Sequence, residues 1–201
     1  MKKIVTISRS FGSGGHDIGA LIAKKLGIGL YDKEILSLAA EESGINIEHF
    51  EAADEKPTNS FLYSIAMSGQ IYSNPNDFLT NDRLFAYQSN SILKAAKENS
   101  GVFVGRCADY VLRDIPEAVH IFIHADTESR IKRIMEVNGI SEAEAKSKIK
   151  KADKRRASYH NFYAEGKWGD AVNYDLSIDS SVLGIEGTAD FICEFVEKIS
   201  K

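Results

Sequence analysis

The sequence predicts an α/β domain in which a five-stranded parallel sheet lies between two layers of helices. Short runs rich in β-branched and aromatic residues alternate along the chain with segments whose apolar residues recur every three or four positions. That alternation is typical of a parallel sheet covered on both faces. The chain has 201 residues, of which 43% are hydrophobic and 27% charged. These values suit a single domain with a substantial core, spanning residues 1–201.

The first half of the chain begins with two predicted strand–helix pairs. Residues 2–8 form a short apolar strand candidate, and residues 16–26 carry the apolar stripe of a helix that faces a core. Residues 28–31 form a weaker second strand. Asp32 is then the predicted N-cap of a helix that runs to about Ser43, because its carboxylate can accept a bond from a free first-turn amide.

A helical insertion is predicted from about residue 44 to about residue 100. Residues 44–80 are irregular and polar, and residues 82–98 have the pattern of a long helix that stops at Gly101. The second half of the chain returns to alternation. Its predicted strands are 102–104, 119–123 and 175–178, and its predicted helices are 127–138, a helix opened by the capping box of Ser141 and Glu144, and a final apolar stripe over 185–199.

The stretch SRSFGSGGHDIG, residues 8–19, lies between the first predicted strand and the first predicted helix. A phosphate-binding loop belongs at that place, because successive backbone N–H groups form a concave anion site and the helix adds the positive end of its dipole. Glycines keep such a loop open and permit left-handed backbone angles. The candidate ligands of a phosphate are therefore the glycines and hydroxyl residues of the loop: Ser10, Gly12, Ser13, Gly14 and Gly15.

The loop departs from the usual pattern G-x-x-x-x-G-K-[ST], in which the lysine reaches the terminal phosphates and the hydroxyl holds Mg²⁺. Gly15 and His16 stand about where those two residues belong. Arg9, His16 or an arginine from elsewhere in the chain would then supply the positive charge. The alternative interpretation is a tight strand-to-helix turn that binds no ligand.

Three of the predicted loops follow the carboxyl ends of strands: residues 9–15, the turn at Asp32 and residues 105–109. Ligands of open parallel sheets bind outside the carboxyl ends of the strands, at a point where the strand order reverses. The convergence of these loops predicts one ligand site there.

The segment ISRSFGSGGHDIGALIAKKLGIGLYDKEIL (7–36) closely resembles the opening of the cytidylate kinase-like family, within the P-loop nucleoside monophosphate kinases. The resemblance continues in VFVGRCADYVL (102–112), HIFIHADTESRIKRI (120–134), KKADKRRASYHNFY (150–163) and YDLSIDSS (174–181). It covers nearly the whole chain and is loosest between residues 44 and 100. True cytidylate kinases carry the Gly-Lys pair of the loop, whereas the lysine is typically lost in the cytidylate kinase-like relatives.

The resemblance implies a P-loop kinase fold, with an acceptor-binding insertion at about 44–100 and a lid at about 139–168. It also implies transfer of the γ-phosphoryl group of ATP to a nucleoside monophosphate, with cytidylate as the acceptor by family analogy. Mg²⁺ would be held mainly through the nucleotide. Two alternatives remain open: a nucleotide-binding sensor that has lost transfer, and a kinase of a small molecule that is not a nucleotide.

The resemblance also implies roles for particular residues. Arg106 would grip the acceptor phosphate, and lid arginines at the positions of Arg155 or Arg156 would cover the transferring group, with Asp153 able to orient one of them. Arg130 and Arg133 would lie against the base and phosphates of ATP. The alternative interpretation of each of these arginines is an ordinary charged residue on the protein surface. The remaining acceptor-side candidates are Asp32, Arg83 and Asp109. Arg83 is the lone arginine of the insertion, and its alternative is an ordinary residue of a surface helix. Asp109 could serve the Mg²⁺ shell, and its alternative is a solvated loop carboxylate.

Composition argues against several other classes of protein. The formal net charge of −4 disfavours nucleic-acid binding by bulk electrostatics, so any anion site must be local. The segment 146–156 nevertheless holds seven basic residues in eleven, and its alternatives are a solvated helix face or a patch for RNA or DNA. Cys107 and Cys193 are isolated, which supports neither a zinc site nor a disulfide framework and makes a reducing cytoplasm the expected compartment. No signal peptide or membrane anchor is expected, and the oligomeric state is not predicted.

Overall fold

Five parallel strands form a single sheet in the computed structural model, which describes residues 2–56 and 81–199. The strands are β1 (Ile4–Arg9), β2 (Gly29–Tyr31), β3 (Gly101–Val104), β4 (Ala118–His124) and β5 (Leu176–Asp179). Their order across the sheet is β2–β3–β1–β4–β5, and every neighbouring pair is parallel. The chain therefore reverses its direction of progress at the central strand β1, which is the predicted place for a ligand.

Helices cover both faces of this sheet. They are α1 (Gly15–Leu26), α2 (Glu34–Ser43), α3 (Ile47–Ala53), α4 (Asn81–Glu98), α5 (Ala108–Val111), α6 (Thr127–Asn138), α7 (Glu142–Tyr163) and α8 (Ser180–Ile199). None of the helices in the described ranges is long and apolar enough to cross a lipid bilayer. Helix α7 begins with the predicted capping box, since Ser141 accepts from the amide of Glu144 and the Glu144 side chain accepts from the amide of Ser141.

Alternate residues of the central strands supply two separate cores, because successive side chains point to opposite faces of a sheet. Val5 and Ile7 of β1 pack with α1 and α8, in one buried cluster. Ile4 of β1 and Phe103 of β3 face the other way, toward α2 and α4. The predicted three-layer α/β/α architecture with a five-stranded parallel sheet is confirmed.

The predicted insertion contributes α3 and α4, which pack together with α2 through Leu36, Phe50 and Leu84. Helix α3 is capped by Asn46, whose side chain accepts from the amide of Glu48. The irregular character predicted for residues 57–80, including Pro57 and Pro75, concerns positions outside the described residues.

The predicted N-cap role of Asp32 is wrong. The residue that precedes α2 is Lys33, in right-handed helical conformation and without a side-chain capping bond. The Asp32 carboxylate instead accepts from Arg106, with 2.6 Å between Oδ1 and Nη1. A charge-assisted bond to a guanidinium is stronger than a bond to a neutral amide, so the tertiary partner prevails over the local one.

Candidate functional site

An open cleft of about 540 Å³ lies at the carboxyl ends of β1, β2 and β3. Ligand pockets in proteins commonly have volumes of this order. The cleft is lined by the glycine loop from Arg9 to His16, apart from Ser13. Its other charged lining residues are Asp17, Asp32, Lys33, Asp54, Glu55, Arg106, Arg133, Lys148, Arg155 and Arg156. The three loops predicted to converge therefore do meet, around a strongly charged space.

The backbone of the glycine loop has the form of a phosphate nest. Gly12 and Gly14 have φ values of +85° and +76°, which disfavour any residue with a side chain. A Cβ atom at Gly12 would lie 3.1 Å from the carbonyl oxygen of Arg130, and one at Gly14 would collide with Ile185. Helix α1 starts directly after Gly14, with no side-chain cap. Its first-turn amides are consequently available to an anion.

The two serines of the loop have different environments. Ser13 is buried, and its hydroxyl donates to the carbonyl oxygens of Ser10 and Ile123 at 2.9 and 3.1 Å. The structure therefore places the Ser13 hydroxyl inside the fold, where it braces the loop, and not among the cleft-lining groups. Ser10 lines the cleft.

Arg106 lies on a turn of three consecutive left-handed residues after β3. Gly105, Arg106 and Cys107 have φ values of +76°, +54° and +55°. Such angles are costly for residues with a Cβ and concentrate at functional sites. The guanidinium is buried, and it donates to Asp32 at 2.6 Å and to Asp54 at 2.9 Å. Its Nε atom has no hydrogen-bond partner among the described residues.

The electrostatics of this group follow from burial and pairing. Burial opposes the charge of Arg106, but the carboxylates of Asp54 and Asp32 outweigh it and raise the pKa of the arginine. Burial likewise opposes ionisation of Asp32, and the charge of Arg106 outweighs it, so the pKa of Asp32 falls. For Asp54 burial prevails over Arg106, and the pKa of that carboxyl rises.

Glu55 joins the glycine loop to the predicted lid. Its carboxylate accepts from Arg9 at 2.6 Å and from Arg156 at 3.1 Å. Glu55 is 7% exposed and has a φ of +50°, which makes it the third residue with a Cβ held in the left-handed region within the described chain. Burial, together with the nearby charge of Arg9, lowers the pKa of Arg156 to about 10. The buried Glu55 carboxylate is thus the shared partner of Arg9 and Arg156.

Arg130 and Arg133 occupy different positions although one helical turn separates them. Arg133 lines the cleft and pairs with Asp17. Arg130 lies behind the loop, where its Nε donates to the carbonyl of Phe11 at 2.8 Å and its guanidinium pairs with Asp153. Asp153 also accepts from the amide of Phe11. The sequence suggested that Asp153 orients Arg155 or Arg156. In the structure it holds Arg130 and the loop backbone instead.

Three of the remaining predicted residues have distinct locations. Arg155 is exposed on α7 and lines the cleft. Arg83 lies in the first turn of α4, outside the described lining of the cleft. Asp109 is buried and its Oδ2 lies 2.7 Å from Nε2 of His160, beside a separate cavity of about 210 Å³. The structure does not bring Asp109 to the cleft in which Asp32 and Arg106 lie.

Three of the aromatic residues that follow the basic segment pack within the protein. Tyr159 is buried, Tyr163 stacks on Phe85 with ring centroids 3.9 Å apart, and Trp168 meets Phe122 edge-on. These three rings are engaged by the protein's own side chains, whereas Phe162 on the same helix is 47% exposed and meets Tyr163 edge-on.

Asp54 and Glu55 are site residues that sequence reasoning missed. They follow α3 as the acidic pair of the run ADEK, and such a pair is most often a solvated surface feature. Their partners lie far away in sequence: Arg9 and Arg156 are 46 and 101 residues from Glu55. No local pattern marks these contacts. The one weak signal for acidic partners was the number of arginines predicted near the site, because buried guanidinium groups require acidic partners.

Every carboxylate that lines the cleft is paired with a basic side chain. Asp17 pairs with Arg133, Asp32 with Arg106 and His16, Asp54 with Arg106, and Glu55 with Arg9 and Arg156. Within residues 2–56 and 81–199, no group of three or more His, Cys, Asp or Glu side chains is arranged to hold a metal ion. The donor set of the cleft therefore suits a polyanion, whose oxygens can replace the carboxylates on the arginines.

A parallel sheet ordered β2–β3–β1–β4–β5, with a glycine nest after the central strand, defines a P-loop kinase fold. The family model of the cytidylate kinase-like family matches residues 4–182. The chain therefore belongs to the cytidylate kinase-like family.

Two individual proteins resemble the chain, and one of them is a cytidylate kinase. The cytidylate kinase of Archaeoglobus fulgidus is 27% identical over 199 residues, covering 96% of this chain and 94% of that protein. The chain is also 27% identical to the uronate isomerase of Corynebacterium glutamicum, over 119 residues that make up 59% of this chain. That match spans only 23% of the isomerase, so the chain aligns with less than a quarter of this relative.

Two solved structures resemble the fold over almost its whole length. An uncharacterized protein from Eubacterium ventriosum is 32% identical, with a TM-score of 0.73, covering 98% of this chain and 99% of that one. The shikimate kinase of Bacteroides thetaiotaomicron has a TM-score of 0.55 at 13% identity, covering 97% and 98% of the two chains. The second likeness concerns the fold alone.

Proposed function

We propose that the chain is an ATP-dependent kinase that transfers the γ-phosphoryl group of ATP to a nucleoside monophosphate, with cytidylate as the acceptor. One observation carries this proposal: a glycine nest shares its cleft with guanidinium groups from two other segments, Arg106 after β3 and the Arg155–Arg156 pair of α7. Phosphoryl transfer depends almost entirely on positioning and on positive charge around the transferring group. The likeness to a cytidylate kinase over nearly the full chain supports the choice of acceptor.

Each part of the cleft has a role in this proposal. The amides from Gly12 to His16 hold the β-phosphate of the donor, and Arg106 forks onto two oxygens of the acceptor phosphate. Arg155 and Arg156 cover the transferring group. Closure of the predicted lid, residues 139–168, excludes water that would otherwise hydrolyse the donor.

Mg²⁺ neutralises charge on the β- and γ-phosphates in such reactions. The chain offers little of its own for this ion at the usual place, because His16 stands where a hydroxyl residue belongs and its Nδ1 lies 2.8 Å from Asp32. The nucleotide itself would therefore hold most of the ion. Asp32 and Asp54, which lie beside the Arg106 guanidinium, are the carboxylates nearest to the acceptor phosphate in this proposal.

The test is a product assay on the purified protein with ATP, Mg²⁺ and each of CMP, UMP, AMP and GMP, with detection of the nucleoside diphosphate. We expect turnover that is highest with CMP and ATP hydrolysis that is slow without an acceptor. Calorimetry on the same preparation measures ATP binding. Binding of ATP without any diphosphate product would contradict the kinase proposal and favour the nucleotide sensor. An untargeted screen for ATP-dependent phosphorylation of metabolites separates out a kinase of another small molecule.

A further inference from the structure

Compared with the usual phosphate-loop pattern, this loop carries its basic residue and one of its glycines in swapped positions. With Gly14 as the second glycine of the pattern G-x-x-x-x-G-K-[ST], the first glycine position is occupied by Arg9 and the lysine position by Gly15. A basic residue therefore stands where a glycine is usual, and a glycine stands where the basic residue is usual. The loop retains one glycine and one cation at these two positions, in reversed order.

The geometry shows that the two changes depend on each other. A Cβ atom at Gly15 would lie 2.5 Å from Cβ of Arg9 and 2.8 Å from its Cγ. Both distances are well below ordinary van der Waals contact between carbon atoms. The stem of Arg9 thus fills the space that a lysine side chain at position 15 would need, so an arginine at position 9 and a lysine at position 15 exclude each other.

The guanidinium of Arg9 reaches from the glycine loop toward the Arg106 turn. It approaches Gly105 so closely that a Cβ atom there would collide with its Nη1. Nη1 donates to Oε1 of Glu55 at 2.6 Å, and the side chain is 12% exposed at the wall of the cleft. The Arg9 guanidinium therefore lies between the glycine loop and the turn that carries Arg106, and it is paired with the Glu55 carboxylate.

Two other basic groups of the cleft, His16 and Arg156, are engaged differently. His16 is paired with Asp32 and its ring is more than half exposed. Arg156 donates to the main-chain carbonyl of Arg9 at 3.1 Å, so it holds the loop backbone as well as Glu55. Among the described basic groups of the cleft, it is Arg9 whose stem packs across the position that the lysine would occupy.

We propose that Arg9 is the cation of this phosphate loop: its guanidinium binds the terminal phosphates of a nucleoside triphosphate in place of the missing lysine. Gly15 is a glycine because the Arg9 stem needs its space. The Glu55 carboxylate occupies the same guanidinium while no phosphate is bound. The inference rests on the proposed function only in taking the ligand to be a nucleoside triphosphate; it does not require turnover.

The experiment compares the affinities of ATP, ADP and AMP by calorimetry for four proteins: the wild type, Arg9→Gly, Gly15→Lys, and the double variant with both changes. Removing one charged hydrogen-bonding partner typically weakens binding by about tenfold to a hundredfold. We expect Arg9→Gly to lose that much affinity for ATP and little for AMP. Gly15→Lys alone is expected to weaken ATP binding as well, because the new side chain displaces the Arg9 stem.

The double variant tests whether Arg9 supports ATP binding by its positive charge in the loop or only by holding the structure together. It restores the usual order of the pattern, with a glycine at position 9 and a lysine at position 15. We expect it to bind ATP at least about tenfold more tightly than Arg9→Gly. Arg113→Ala, an exposed arginine outside the cleft that lies over the ring of Tyr110, is the matched control and should bind ATP like the wild type. Thermal melts establish that each variant is folded.

Two results would overturn the inference. One is an Arg9→Gly protein that is folded and binds ATP as tightly as the wild type. The other is a double variant that binds ATP no better than Arg9→Gly. A wild-type protein that binds ATP but forms no diphosphate would contradict the kinase proposal alone, and the comparison of the four proteins would still decide the role of Arg9. Failure of the wild type to bind ATP would overturn both.

Discussion

Replacing Arg106 with glycine is expected to lower the rate of phosphoryl transfer to CMP by about a hundredfold to a thousandfold, the usual cost of removing one preorganised donor to developing charge. Arg106 is 4% exposed and its guanidinium is held by two carboxylates, so its position is defined before the substrate arrives. The acceptor phosphate would replace these carboxylates on the guanidinium when it binds, so the positive charge is in place before the phosphoryl group is transferred. The initial rate of CDP formation at saturating ATP measures the effect.

Glycine is a better replacement than alanine at this position. The φ of Arg106 is +54°, an angle that glycine adopts readily and alanine does not. The glycine variant therefore removes the guanidinium and relieves backbone strain at the same time. Arg106→Lys is a second useful variant, because it keeps the charge but loses the two-pronged contact to a phosphate, and its rate should fall between those of the wild type and Arg106→Gly.

Binding measurements locate the defect of the Arg106 variants. If the guanidinium contacts the acceptor phosphate, Arg106→Gly should lose affinity for CMP but not for cytidine, and its affinity for ATP should be that of the wild type. This is the reverse of the Arg9→Gly profile, in which ATP binding is lost. Arg113→Ala is again the control with unchanged activity. A folded Arg106→Gly protein that turns over CMP at the wild-type rate would show that the acceptor phosphate is held elsewhere.

The features that the sequence predicted correctly are those with local causes. The capping box at Ser141 is complete within four residues, and helix α6 spans Thr127–Asn138, the range predicted for it. The glycine loop was recognisable because phosphate nests need small residues at short, regular spacing. The layer architecture was predictable for the same reason, because strand and helix patterns each lie within one short segment.

The features that were missed depend on partners distant in sequence. The Asp32 carboxylate is taken by an arginine 74 residues away, which no capping rule anticipates. The Ser13 hydroxyl bonds to a carbonyl on β4, 110 residues further along the chain. The close packing of the Arg9 side chain over Gly15 is likewise visible only in the folded chain. Residue types suggest such groups, but only the packed fold assigns their partners.

Replacing Glu55 with glutamine is expected to lower the free energy of unfolding at pH 7 by about 3 kcal/mol, the order measured when a buried ion pair loses one partner. The carboxylate is the shared partner of Arg9 and Arg156, and both guanidinium groups are largely buried. Glutamine keeps the shape and one hydrogen-bond acceptor but leaves two positive charges side by side. Urea unfolding measures the difference. Glu51→Gln, an exposed position on α3, should change stability by less than about 0.5 kcal/mol.

The pH dependence of this difference has a definite sign. Burial opposes ionisation of Glu55, but the charges of Arg9 and Arg156 outweigh it and hold the pKa of Glu55 far below its ordinary value of 4.5. A depressed pKa stabilises the fold above the unfolded value, and that contribution is lost as the pH falls toward the folded value. The stability gap between wild type and Glu55→Gln should therefore be full at pH 7 and shrink progressively below about pH 4.5. A gap that is constant from pH 7 to pH 3 would contradict this account.

Phosphate ligands should partly reverse the loss in Glu55→Gln. In the wild type, a bound phosphate must replace the Glu55 carboxylate on the arginines, whereas in the variant the same arginines have no anionic competitor at position 55. A ligand raises stability according to its concentration relative to its Kd, so ATP should raise the melting temperature of Glu55→Gln more than that of the wild type. Glu51→Gln should respond to ATP like the wild type. Equal shifts in all three proteins would mean that the phosphates bind without displacing Glu55, which would place the ligand away from Arg9 and Arg156.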